Sequence, residues 1–187
     1  MPMEIVIPSR QTFALESYQD APLRHNEIRG RTLCTLVSQG TEIGWANGDS
    51  FPIRPGYAAV FRVEEIGEDV TGVAKGDLRF AMGYHRATQT HVARHTLPLP
   101  AGMEAETAVL ARLMGVSLTT LMTTRARPGD RVMIAGAGPV GLLAAHLFRM
   151  SAYCVTVVDP DPVRREQVKA SGIADVHTVM PLGDPEY

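Results

Sequence analysis

The feature that most constrains this chain is Gly136-Ala-Gly138-Pro-Val-Gly141, set between a short apolar run and a helical one. The run over 131–135 reads as a short apolar strand, and 139–150 places Val140, Leu143, Leu147 and Met150 on one helical face. A second apolar strand is expected over 153–158. Asp161 then serves as an N-cap, Pro162 as the first helical residue and Gly172 as the closing turn, before a third strand over 176–180. A βαβαβ half of a parallel sheet follows. In that setting each glycine of the loop has a mechanical reason. Gly136 permits the tight turn, Gly138 lets backbone approach a diphosphate, and Gly141 lets helix and strand pack closely, while Pro139 and Val140 open a helix whose amides receive the anion. Asp159, about twenty residues on and at the end of the second strand, is placed to accept hydrogen bonds from ribose hydroxyls. The pattern predicts a dinucleotide site, and Asp159 favours NAD over NADP because a 2′-phosphate would meet a like charge. Arg164 and Arg165, the cations that would reverse that preference, fall in the next helix and read as a solvated face.

Composition narrows the partners. The 187 residues are 45% apolar and 20% charged, with 18 basic against 20 acidic side chains, which excludes disordered and collagen-like chains. Near neutrality without a Lys/Arg block argues against nucleic acid and lipid surfaces, leaving small molecules. No apolar run reaches the length of a membrane span, and the first residues carry Glu4, Arg10, Glu16 and Asp20, so a cytoplasmic protein is expected. Cys34 and Cys154 lie far apart in apolar stretches and read as buried thiols without a bridge.

The first hundred residues are written differently. Turn signals recur at Asn47-Gly48-Asp49, Arg54-Pro55-Gly56, Gly67-Glu68-Asp69 and Gly76-Asp77. Between them Ala59, Phe61 and Val63 alternate with Val60, Arg62 and Glu64, and Leu78 and Phe80 with Arg79, which predicts half-buried strands of a small barrel or sandwich. From Glu104 the apolar spacing turns helical until Pro128-Gly129-Asp130. The expected fold class is α/β in two domains, a β-barrel over 1–112 and the nucleotide-binding half-sheet over 113–187.

Ser38-Gln-Gly-Thr41-Glu42, Pro55-Gly56-Tyr57, Val70-Thr-Gly72 with Gly76-Asp77, Pro98-Leu-Pro100 and Pro128-Gly-Asp130 before the glycine loop resemble, in that order, the medium-chain dehydrogenase/reductase superfamily. The resemblance implies a GroES-like barrel joined to a Rossmann domain and hydride transfer between a nicotinamide cofactor and an alcohol or carbonyl. Metal-dependent members usually carry Cys-Gly-Thr-Asp and Pro-Gly-His-Glu; here Gln39 and Tyr57 replace the first two zinc ligands, and 109–115 offers no preferred donor for the third. The four-cysteine lobe is also absent, and His85, His91 and His95 read as solvated or hydrogen-bonded rather than ligating. The chain is most similar to the zinc-lacking subgroup related to bacteriochlorophyllide a dehydrogenase, so no zinc is expected.

Without a metal, a hydrogen-bond donor must stabilise charge on the reacting oxygen. Tyr57 is the candidate, with Thr41 relaying the proton as its counterpart does in the family; a filler role for Tyr57 and a local capping role for Thr41 stand beside these. Gln39 and Glu42 carry two readings, shaping the substrate end of the cleft or, as charge at a turn usually does, lying on solvated surface. Family sheets carry six strands, so ending after the third reads as the N-terminal part of a longer dehydrogenase or a shortened product that self-associates through its apolar edge. Two further readings stay open: an NADPH-dependent quinone or enoyl reductase, and a non-enzymatic nucleotide-binding relative.

Overall fold

A computed structural model of the chain describes residues 1–180. It divides into two compact units, Met1–Arg112 and Leu113–Tyr187.

The first unit is built of β1 (Met3–Ser9), β2 (Thr12–Ser17), β3 (Glu27–Leu36), α1 (Gln39–Ala46), β4 (Ala58–Ile66), β5 (Leu78–Ala81), β6 (Thr88–Val92), β7 (Leu97–Pro98) and α2 (Ala105–Ala108). The strands form an antiparallel sheet ordered β6-β3-β4-β5-β7 and a hairpin of β1 and β2. Single bridges from Glu4 to Arg86 and from Ile7 to Ile53 tie the hairpin to the rest. Ile28, Phe61, Val63 and Ala81 form a core, with Ile66, Val70 and Val73 packed around it.

Alternation located β4 and β5 but misjudged one face. In β5 it is Arg79 and Ala81 that are buried, while Leu78 and Phe80 are half-buried. Arg79 satisfies its guanidinium on Thr96, donating from Nε to Oγ1 at 3.0 Å and from Nη2 to the carbonyl at 3.1 Å, so the polar residue occupies the inner face without an orphaned donor. The expected single helix after Glu104 is two: α2, then α3 (Ala111–Thr123), interrupted at Val109 and Leu110.

The second unit continues with β8 (Arg131–Ala135), α4 (Pro139–Met150), β9 (Cys154–Val158), α5 (Pro162–Ala170) and β10 (Val176–His177). The sheet is parallel and ordered β10-β9-β8. This is a partial Rossmann arrangement, in which β8 lies at the edge and pairs with β9 alone among the described residues. Ala137, Ala145, Val157, Val168 and Ile173 form the core, where β9 packs against both helices. α5 starts as its residues require: Asp161 accepts from the Val163 amide at 2.8 Å, and Pro162 sits in the first turn. The third strand spans two of the five residues expected, and residues 181–187 lie outside the described region. The cysteines are unbridged; Cys34 is part-buried, but Cys154 is exposed, because it is the first residue of a strand whose end the helices do not cover.

Candidate functional site

The glycine loop follows β8 directly, and its three glycines differ in what they need. Gly136 has φ +98°, a conformation open to glycine and strained for other residues, while a Cβ there would meet no neighbour. Gly141, in the first turn of α4, is a packing glycine: its Cβ would stand 1.9 Å from the Gly136 carbonyl oxygen. Gly138, the N-cap of α4, is extended at φ −66° and ψ 179°, which any residue adopts, and a Cβ there would meet nothing within 4 Å. Nothing within the protein requires glycine at 138. Pro139 brings no N–H, Gly138 has no side chain to cap with, and the Leu142 amide bonds the Gly138 carbonyl at 2.9 Å. The amides of Val140 and Gly141 thus lie at the uncapped positive end of the helix.

Asp159 directly follows β9, beside this loop, and is buried. One carboxylate oxygen accepts from the Ala137 amide at 2.6 Å, the other from the Asp161 amide at 2.8 Å. These two bonds, in that order, hold its carboxyl below the usual carboxylate range against the opposing effect of burial, and Arg164 and Arg165 add to them. Arg164 approaches the same carboxylate at 3.8 Å, while Arg165 donates to the Asp159 and Pro160 carbonyls, each at 2.8 Å. Asp159 therefore fixes the loop's backbone, and each oxygen keeps capacity for a further hydrogen bond. A cavity of about 570 Å³ opens from Gly136, Gly138 and Pro139 along the uncovered edge of β8. Its lining is mostly apolar and excludes Asp159, so the polar groups able to hold an anion are at the loop end of it.

The first unit brings together most of the other predicted residues. Ser38-Gln-Gly-Thr-Glu does not form a solvated turn; it starts α1. Ser38 is the N-cap, its amide donating to Glu42 Oε1 at 2.9 Å and its hydroxyl to Thr41 Oγ1 at 2.9 Å. Glu42 is buried, a correction to the expectation of a surface charge, whereas Gln39 is exposed. The second Glu42 oxygen meets His85 Nε2 at 2.9 Å, and His85 Nδ1 meets Thr35 Oγ1 at 2.7 Å. An ionised Glu42 only accepts, so Nε2–H is the donor of that bond, while either Nδ1 or the Thr35 hydroxyl supplies the proton of the other. His85 is thus hydrogen-bonded, as expected, in a chain linking β3, the loop after β5, and α1. Sequence reasoning passed over Thr35 and its pairing with His85 because the two stand 50 residues apart with no shared motif. His91 Nε2, by contrast, is buried without a partner, and His95 is exposed.

Gly56 sets Tyr57 beside this chain. At φ +142°, its Cβ would lie 2.4 Å from the Tyr84 Cα, and the His85 amide donates to the Pro55 carbonyl at 2.9 Å, so the two segments are locked together. Tyr57 is half-buried, and the guanidinium carbon of Arg112 lies 4.2 Å from its ring centroid. No hydrogen bond joins Tyr57 to Thr41 among the described residues. The positions where the resemblance would place metal ligands thus hold an amide, a phenol and, in the third segment, a guanidinium. Among the described residues no group of three His, Cys, Asp or Glu is placed to hold a metal ion, and no helix is long and apolar enough to cross a membrane.

This pairing of an antiparallel β unit with a glycine-loop half-sheet is an alcohol dehydrogenase-like fold. Curated relatives and structural neighbours are medium-chain alcohol dehydrogenase-like enzymes. The chain is 34% identical over 88 residues to L-galactonate-5-dehydrogenase of Escherichia coli K12, covering 46% of this chain and 24% of that protein. It is 27% identical over 188 residues to L-threonine 3-dehydrogenase of Aeromonas hydrophila, covering 80% and 54%. It is similar in fold to an alcohol dehydrogenase of Escherichia coli CFT073 complexed with NADH, with TM-score 0.81, 15% identity, and coverage of 96% of this chain and 64% of that one. A quinone oxidoreductase of Pseudomonas syringae is similar at TM-score 0.78 and 17% identity, with 95% and 59% covered. The chain therefore spans about half, or less, of the length of the curated relatives it matches. No protein-family model matches it.

Proposed function

We infer that this chain carries the adenosine- and diphosphate-binding half, and the oxygen-handling unit, of a zinc-independent NAD-dependent oxidoreductase acting on a small alcohol or carbonyl compound. The observation that carries the reading is Gly138: a glycine that neither backbone conformation nor packing requires, at the uncapped start of a helix, is explained by a ligand whose diphosphate needs the backbone bare. The nicotinamide, when bound, supplies or receives the hydride. Gly136, Gly138, Pro139, Val140 and Gly141 form the diphosphate cradle, and Asp159 accepts from the ribose hydroxyls through the capacity its two backbone bonds leave. A carboxylate there favours NAD; Arg164, half exposed, pairs with it at 3.8 Å.

In the other unit Tyr57 donates its hydroxyl proton to the oxygen on which charge develops, the task a zinc ion performs as Lewis acid in metal-dependent relatives. Thr41, bonded to Ser38, relays the proton to Tyr57 through water, since no direct bond joins them. The donor set itself argues against zinc: the ion prefers thiolate, imidazole or carboxylate, and the guanidinium over Tyr57 repels a second cation.

Fluorescence titration with NADH and NADPH tests the reading. Saturable binding of NADH with weaker binding of NADPH is expected, and binding of neither ends it. A preference for NADPH would instead favour the second reading, a quinone or enoyl reductase, which the absence of zinc donors also suits.

A further inference from the structure

Seven other arginines of the first unit spend their charge visibly. Arg29 meets Glu65 at 3.2 Å, Arg31 meets Glu64 at 3.8 Å, Arg54 meets Glu4 at 2.8 Å and Arg86 meets Asp20 at 3.6 Å. Arg24 stands 3.9 Å from Glu27, Arg62 donates to the Gly76 carbonyl, and buried Arg79 is satisfied by Thr96. Arg112 departs from this pattern. It is half-buried and its Nε has no exposure and no acceptor; Arg86 Nε is also buried without a hydrogen bond, but Arg86 has Glu4 at 3.9 Å and Asp20 at 3.6 Å, whereas no carboxylate, carbonyl or hydroxyl receives any Arg112 donor among the described residues. Its one specific contact is the stacking of the guanidinium on the Tyr57 ring. Withdrawing the Nε–H from water without an acceptor is costly, and cation–π attraction of about 1 kcal/mol does not cover it.

An anion is the missing partner, and the stacking says what kind. With its central carbon 4.2 Å from the centroid of a phenol ring, the guanidinium still carries its fork of N–H groups, the donor geometry that matches a carboxylate in two hydrogen bonds. The same contact puts the guanidinium over the ring that carries the Tyr57 hydroxyl, which the proposed function assigns to the reacting oxygen. A substrate whose carboxylate is one carbon from its hydroxyl or carbonyl meets both groups at once. We propose that Arg112 binds the carboxylate of the substrate, and that the substrate class is the 2-hydroxy or 2-oxo acids. The inference rests on the reading of Tyr57 above for where the hydroxyl lies, and on the unpaired guanidinium alone for the charge.

The test uses the full chain labelled with ¹⁵N-arginine, following the Arg112 Nε–H resonance during titration with 2-hydroxybutyrate, with 2-hydroxybutyramide and with inorganic phosphate. A saturating shift with the acid and none with the neutral amide is expected. Binding of the acid, followed also by Trp45 fluorescence, should fall roughly 10- to 100-fold in Arg112→Met, as for loss of hydrogen bonds to a charged group. Arg112→Lys, which keeps charge but not the fork, should retain part of it, and its urea midpoint shows whether loss in Arg112→Met is a folding defect. NADH affinity, read separately, should not move in either variant. Failure of NADH to bind the parent chain would overturn the dinucleotide reading while leaving carboxylate binding to be read on its own. No shift with the acid at tens of millimolar, equal shifts with acid and amide, phosphate competing as well as the acid, or unchanged acid binding in Arg112→Met would each overturn the proposal.

Discussion

Two alanine substitutions three residues apart in the glycine loop should have opposite consequences. At Gly141 the added methyl would stand 1.9 Å from the Gly136 oxygen and 2.9 Å from its carbonyl carbon. An ordinary carbon–oxygen contact is about 3.3 Å, so loop and helix must separate by roughly 1.4 Å. Both partners are backbone, and no side chain can swing away. Overpacking of this kind costs about 1–3 kcal/mol, and rigid backbone on both sides argues for the upper end. For a chain of 187 residues that corresponds to a fall of roughly 6–12 °C in Tm. At Gly138 the methyl meets nothing and the backbone is already extended, so Gly138→Ala should be as stable as the parent, or more stable by about 0.4–1 kcal/mol through the unfolded chain. Its loss should appear in binding, where a methyl between backbone and diphosphate should weaken NADH roughly 10- to 100-fold. Urea denaturation and NADH titration of both variants give the answer. Parent-like NADH affinity in Gly138→Ala would refute the claim that the bare backbone at 138 serves a ligand, and a parent-like urea midpoint in Gly141→Ala would refute the packing argument.

Removing the Tyr57 hydroxyl in Tyr57→Phe should lower kcat roughly 10²–10³-fold if it stabilises the oxyanion, with NADH affinity unchanged; unchanged turnover leaves Tyr57 a filler. Glu42→Ala strips acceptors from the buried His85 Nε2–H and the Ser38 amide, and should cost the first unit about 1–3 kcal/mol by urea midpoint. The two units should also differ in acid. Burial and nearby Arg86 depress the pKa of His91 below its ordinary 6.5. The unfolded chain therefore takes up that proton first, and first-unit stability should begin to fall as pH drops through about 6.5. Asp159 and Asp175 are held below their ordinary 3.8 by hydrogen bonds, to backbone amides and to Thr156 respectively. Their contribution is complete above that value and is lost as pH falls through the lower folded values, so second-unit probes should respond only in stronger acid; hydrogen exchange resolves the two windows, and coincident profiles would contradict the assignment.

What could be read from the sequence follows the range of the interactions. The glycine loop, the Asp161 cap and α4 were legible because their causes lie within a few residues: a tight turn, a side chain bonded two residues on, a period of 3.6. Asp159 was legible in position but not in full, since its bonds to the Ala137 and Asp161 amides depend on β9 lying beside β8. Arg79 was placed on the wrong face because alternation counts a charged residue as outward, and Thr96, which makes its burial tolerable, lies on a different segment. Glu42 failed for the same reason, its burial resting on His85, 43 residues away.

These failures are of one kind, polar groups whose burial is sustained by a distant partner, and that gives Arg112 its weight. Glu42 and Arg79 violate the sequence-level expectation and the fold supplies each with a partner. Arg112 departs from it too, as a half-buried cation facing an aromatic ring, and the described fold supplies no partner. The first unit's buried Glu4, Glu42 and Arg79 each have an ion-pair or hydrogen-bond partner within the fold, which supports a partner for Arg112 outside the polypeptide. Gly138 presents the same logic in reverse, as space kept bare where packing and conformation permit a side chain. One position lacks an anion and the other lacks a side chain, and the proposed dinucleotide and acid substrate would supply both deficits at once.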